Sequence, residues 1–150
     1  MNVPPLVGVH HVKFPVSDLK VSTAWYERVL GFRVEIEFAD QDGTVRGVAG
    51  SAPGLGAVGL ALRENPEVAK GISGYDPVSF GIADRAAAEA WVAWLDELGI
   101  DHSPVIDATI GWIVNFHDPD GTNIRLYSFA AHGIDHGGRP GYGQPVRIQA

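Results

Sequence analysis

Residues 11–25 read HVKFPVSDLKVSTAW, and residues 77–91, 66 positions further on, read PVSFGIADRAAAEAW. Under that offset Val12 meets Val78, Phe14 meets Phe80, Val16 meets Ile82, Asp18 meets Asp84 and Trp25 meets Trp91. Each block is an alternating apolar run, then an aspartate, then a stretch of helical composition, and the shared order of signals marks an internal repeat. In the first copy Val12, Phe14 and Val16 fall on one face at period two, as a half-buried strand requires. Asp18 stands where a carboxylate can accept the free N–H groups of a helix start. Val21, Trp25, Val29 and Leu30 then recur at helical spacing up to Gly31, a residue suited to ending a helix.

Working outward, FRVEIEFA (32–39) alternates, which predicts Phe32, Val34, Ile36 and Phe38 inward and Arg33, Glu35 and Glu37 on the other face. Asp42-Gly43 reads as a hairpin turn, and TVRGVAG (44–50) and AVGLALR (57–63) as two more strands. The second copy repeats the order. PVSFGIA (77–83) is a strand, Asp84 a cap, and residues 85–98 a helix burying Ala87, Trp91, Trp94, Leu95 and Leu98 and ending at Gly99. Residues 101–107, 111–118 and 122–129 are strands, the last two joined by the turn Asp118-Pro119-Asp120-Gly121. The expectation is an α+β fold, βαβββ twice. The units span about 8–63 and 77–128, with linker 64–76, inside a single domain 1–130. A Gly/Pro-rich arm (131–150) without regular structure follows.

Composition narrows the function. The 150 residues suit one domain. The net charge of −7, with no dense basic stretch, excludes a nucleic-acid partner. Zero cysteines exclude disulfides, zinc–thiolate sites and cysteine nucleophiles, and suit a reducing compartment, so the cytoplasm is expected. No run reaches the ~18 apolar residues of a membrane helix, and MNVPPLVGVHHV lacks the cationic start of a signal peptide, so no membrane partner is expected.

With these elements in place, the sequence resembles the vicinal oxygen chelate superfamily, the group of glyoxalase I, extradiol dioxygenases, fosfomycin-resistance enzymes and bleomycin-resistance proteins. His11-Val12, Asp18-Leu19, Trp25-Tyr26, Val29-Leu30-Gly31-Phe32 and Asp118-Pro119-Asp120-Gly121 carry the likeness over about residues 8–128. The resemblance implies half-barrel units enclosing a cavity, within one chain or across a homodimer, and a homodimer is expected. It also implies four metal positions on the first and last strands of each unit, filled by His, Glu or Gln. The first maps to His11 and its repeat partner to Pro77. The last maps to Arg125 in place of a glutamate, and its partner to Gly59, or to Leu60 or Ala61 if the register slips. Proline and glycine have no donor, and a guanidinium stands where a dication needs an anion. The mapping therefore predicts no cofactor and no divalent metal of the family type. A rearranged site joining His11 to His117, or to His132 and His136, is the remaining route.

The same alternation turns His11, Lys13, Ser79, Gly81, Asn123, Arg125 and Tyr127 toward the cavity, with Asn115 and His117 beside them and Trp112 at its edge. His10 is expected to point the other way and to be structural. These groups predict a small-molecule ligand that is anionic or carries a carbonyl. Blander roles stand beside that one: Arg125 paired with Glu35 or Glu37, His11 bonded to a backbone carbonyl, His117 a turn residue. Two readings follow. One is a metal-free binding protein resembling the bleomycin-resistance proteins. The other is an enzyme, a lyase, isomerase or dioxygenase. It would use His11 or His117 as base with Arg125 stabilising an oxyanion, or a metal on unorthodox ligands. A weaker third is a regulatory chain with no ligand of its own.

Overall fold

Both copies of the repeat fold as strand, helix and three strands in a computed structural model that describes residues 2–146. Of the arm expected at 131–150, residues 147–150 lie outside the described residues. By contacts the chain divides into two units. The first runs to Tyr75 and includes the turn Asp118–Thr122; the second holds Asp76–His117 and the chain from Asn123 on.

In the first unit β1 (His11–Val16), α1 (Leu19–Leu30), β2 (Arg33–Ala39), β3 (Val45–Ser51) and β4 (Gly59–Glu64) precede a short helix, α2 (Pro66–Gly71). The sheet order is β1-β4-β3-β2, with β1 parallel to β4 and the other pairs antiparallel. Asp18 caps α1, accepting from the Val21 N–H at 3.1 Å, and Gly31 closes it in the left-handed region at φ 71°. One face of the sheet buries Phe14, Val16, Val48, Leu60 and Leu62 with Leu19, Tyr26 and Val29 of α1. The buried stripe of α1 is Leu19, Ser22, Tyr26 and Val29, whereas Val21, expected inside, is 54% exposed. The linker is not plain loop. Asn65 accepts from the Val68 N–H and Pro66 takes the first turn of α2, where its missing N–H costs nothing.

The alternation read for β2 fails halfway along. Val34 pairs with Gly50 but Ile36 pairs with Ala49, so Glu35 is an extra residue, a β-bulge. Beyond it every side chain changes face. Val34 stays with the helix side, but Ile36 (53% exposed) and Phe38 (48%) turn to the opposite face and Glu37 takes their expected place.

The second unit holds β5 (Ser79–Ile82), α3 (Arg85–Glu97), β6 (Ile106–Asp107), β7 (Trp112–His117) and β8 (Asn123–Ser128), in sheet order β5-β8-β7-β6. Asp84 caps α3 through the Ala87 N–H at 2.9 Å. Ile82, Ala88, Leu95, Val114, Phe116, Ile124 and Leu126 form its core, and Trp91 stacks on Phe116 at 6.5 Å. Trp94, expected in that core, is 38% exposed, because the contact stripe of α3 centres on Ala88 and Leu95. The strand expected at 101–107 shrinks to Ile106–Asp107 and an isolated His102–Phe116 bridge. Pro104, between them, has no N–H to give a ladder.

Candidate functional site

In the first unit, the face of the sheet turned away from α1 forms a concavity of about 540 Å³. Ile36, Phe38, Ala49 and Ala61 give it apolar walls, and His10, His11 and Lys13 bring polar groups to it. Ile36 and Phe38 reach it only because of the bulge. His10 is there too, against expectation: β1 begins at His11, so strand alternation does not govern His10. The two rings meet edge to face, Nδ1 to Nδ1 at 3.0 Å, one nitrogen donating and the other accepting. Lys13 forms no ion pair among the described residues, while Arg63, also on the wall, is held by Asp40 at 3.0 Å.

In the second unit the ladders set Ser79, Arg125 and Asn115 in one row across β5, β8 and β7. His117 and Asn123 form the neighbouring row on one side, and Gly81, Tyr127 and Ile113 the row on the other. Arg125 is aimed by two contacts: Nη1 lies 3.0 Å from an Asp76 carboxylate oxygen, and Nε donates to Asn115 Oδ1 at 3.0 Å. Its ion-pair partner is thus Asp76, not Glu35 or Glu37. The Tyr127 hydroxyl accepts from the Ile110 N–H at 3.2 Å, and the Phe129 ring occupies the place a Gly81 Cβ would need. Trp112 stands apart from this set. It shares the core face with Val114 and Phe116, its backbone N–H donates to Ser128 Oγ, and its ring packs edge to face with the His132 ring at 5.9 Å.

The residues at the four metal positions do not fit a divalent ion. The offset of 66 carries Lys13 onto Ser79, and the ladders pair Lys13 with Ala61 and Ser79 with Arg125. Ala61, rather than Gly59, is therefore the counterpart of Arg125, and neither has a donor atom. Gly59 sits beside His11 and leaves that histidine alone in its row. Among the described residues no three His, Asp or Glu side chains converge as ligands.

Sequence reasoning passed over two groups. Asp76 stands at the end of the expected linker 64–76, with no role assigned to it. Asp118 reads as a turn residue, yet it is buried and accepts from the Tyr26 hydroxyl at 2.8 Å and from the Asp120 and Thr122 N–H groups. Burial raises the Asp118 carboxyl above the usual range, against those three hydrogen bonds, which lower it. Burial, then the neighbouring Asp118 carboxylate, pushes the Tyr26 phenol far above its ordinary value.

The model of the Glyoxalase/Bleomycin resistance protein/Dioxygenase superfamily matches residues 8–126. Among solved structures, the chain is similar to a glyoxylase/bleomycin resistance protein/dioxygenase domain from Frankia sp. EAN1pec, at 24% identity and TM-score 0.65, covering 83% of this chain and 98% of that one. It is similar to TnmS3, an antibiotic binding protein from Streptomyces sp. CB03234, at 23% identity and TM-score 0.67, covering 84% and 98%. It is similar to a lactoylglutathione lyase from Agrobacterium tumefaciens at 19% identity and TM-score 0.66, covering 87% and 100%. No curated protein matches the chain. Among the described residues no helix is long and apolar enough to cross a membrane.

Proposed function

The chain belongs to the Glyoxalase/Bleomycin resistance protein/Dioxygenase superfamily, and from that premise we propose that it binds a small anionic or carbonyl-bearing molecule without a metal. The observation that carries the reading is the first unit's concavity, where apolar walls meet His10, His11 and a Lys13 that has no ion pair among the described residues. Such a site recognises an apolar body by burial and a carboxylate or carbonyl by charge and hydrogen bonding. In the second unit Arg125, oriented by Asp76 and Asn115, is the group fitted to an oxyanion. An ion has no part in this reading, because only His11 of the family positions offers a donor. We take the protein as a homodimer, a reading that the exposed apolar Ile36 and Phe38 on edge strand β2 support.

Benzoate titrated against benzyl alcohol, its uncharged relative, tests the reading by thermal shift. Benzoate should raise the melting temperature and benzyl alcohol should not. Lys13→Ala and His11→Ala should each weaken benzoate about tenfold, as loss of one charge-assisted contact does. Equal binding of the uncharged compound, or benzoate affinity unmoved by Lys13→Ala, His11→Ala and Arg125→Ala alike, would remove its basis.

The His10–His11 contact favours a second reading, an enzyme, because one of two paired imidazoles keeps a lone pair able to take a proton. Turnover in a glyoxalase or dioxygenase assay that is lost in His11→Ala would establish it in place of pure binding.

A further inference from the structure

The ladders set the floor of the first unit's concavity. Lys13, Ala61, Ala49 and Ile36 stand in one row across β1, β4, β3 and β2, and all four line the hollow. The middle of that row is thus two methyl groups. Longer side chains stand only at its ends, Lys13 on edge strand β1 and Ile36 on edge strand β2. Ala49 is half-buried and Ala61 keeps 7% of its surface, as residues at the bottom of a hollow do. Arg63, Gly47 and Phe38 share the next row. There the Arg63 side chain lies over Gly47, its Nη1 3.5 Å from where a Cβ would stand, and Asp40 holds its Nη2 at 3.0 Å. A guanidinium already matched by a carboxylate stops the trough at that end, and His11, beside Gly59, stands at the other.

The βαβββ plan does not impose this floor. In the equivalent row of the second unit Ser79, Arg125 and Asn115 take the places of Lys13, Ala61 and Ala49. Arg125 Nε donates to Asn115 Oδ1 across that row at 3.0 Å, so long polar side chains cover the strands there. The first unit leaves the same strands bare except for two methyls, one strand spacing or about 4.8 Å apart. Such a floor is level and apolar, and it rewards a ligand that lies flat on it with many close atom pairs. A puckered ring of the same carbon skeleton touches it with fewer.

We infer that the concavity takes a flat, fused-ring aromatic carboxylate. Its ring face lies on the Ala49 and Ala61 methyls, its apolar edge meets Ile36 and Phe38, and its carboxylate reaches Lys13. Charge sets this orientation. The Glu35 carboxylate also lines the hollow, but from the β2 side, three strand spacings or roughly 14 Å along the sheet from Lys13. A volume of about 540 Å³ has room for more than a single ring. The inference rests on the anion-binding reading above and narrows it to a shape.

Full-length protein with ¹³C-methyl-labelled alanine tests it by NMR, titrated with 2-naphthoate and then with decahydro-2-naphthoate, which keeps the skeleton and charge but is saturated and puckered. 2-Naphthoate should bind with a dissociation constant on the order of 0.1 mM. It should move the Ala49 and Ala61 methyl protons upfield, the direction that the face of an aromatic ring imposes. Decahydro-2-naphthoate should bind at least about tenfold more weakly. Ala49→Val, which raises the floor, should weaken 2-naphthoate by about tenfold or more. Equal affinity for the two acids, methyl signals that stay put or move downfield, or full 2-naphthoate affinity in Ala49→Val would each overturn the flat-ring inference. Benzoate separates that failure from failure of the reading beneath it: benzoate binding weakened by Lys13→Ala keeps the anion site, whereas no binding of either aromatic acid removes both. The comparison of the two bicyclic acids needs no variant, so it decides the matter even if Ala49→Val does not fold.

Discussion

Tyr26 is wholly buried, and its hydroxyl donates to a carboxylate 92 positions away, that of Asp118. The pair ties α1 to the Asp118–Thr122 turn inside the first unit. Tyr26→Phe leaves a buried carboxyl with two donors in place of three, which should cost about 1.5–3 kcal/mol at pH 7, the range for a hydrogen bond to a charged group. Urea denaturation reads this as a lower midpoint. The pH dependence carries its own sign. The folded chain holds the Tyr26 proton well above the ordinary value of 10.0, while the unfolded chain releases it there. Stability from this group is therefore complete below that pH and is lost as the pH rises beyond it. Tyr26→Phe has no such loss, so the gap between the two midpoints should be narrower at pH 10.5 than at pH 7. An equal gap at both would show that the phenol does not titrate on unfolding.

At the scale of the element, the bulge at Glu35 decides what the first unit's concavity is made of. It brings the β2 backbone over Gly50, where a Cβ would run into the Arg33 carbonyl oxygen. Gly50→Ala should destabilise the protein by about 1–3 kcal/mol, as overpacking does. Gly47→Ala on the same strand, whose Cβ would sit 3.4 Å from its nearest neighbour, should cost much less. Thermal melts of the two variants make the comparison, and equal losses would mean that the bulge imposes no special demand. Elements set by local chemistry are legible in the sequence for that reason: the period-two run of β1, the Asp18 and Asp84 caps and the Gly31 stop each depend on a few neighbouring residues. A register depends on the partner strand, so the unbroken alternation of Phe32 to Phe38 hides the bulge. Gly50 in a strand interior is the signal that marks it. The candidate site divides the same way. Lys13 reaches the concavity where alternation puts it, and the ladders set Ser79, Asn115 and Arg125 in one row, whereas His10 and Asp76 enter from segments outside any strand, where no periodicity applies.

Over the whole molecule, two copies of one βαβββ plan carry different chemistry on equivalent strands. Where the family resemblance implies four metal ligands, this chain has His11, Pro77, Arg125 and, by register, Ala61. A single imidazole holds a divalent ion far more weakly than the three or four ligands of resident sites. Arg125, with Asp76 and Asn115 steering it, keeps its positive charge at any working pH. Untagged protein, purified without chelator and then offered Fe²⁺, Mn²⁺, Ni²⁺ or Zn²⁺, should retain less than roughly a tenth of an equivalent of each after desalting. Arg125→Glu would set a carboxylate beside Asp76 and Asn115, the two groups that hold Arg125, so that variant should retain more metal than the natural chain. Retention near one equivalent in the natural chain, abolished by His11→Ala, would mean that the ligands joining His11 come from outside these positions, with His10 the first place to look for them.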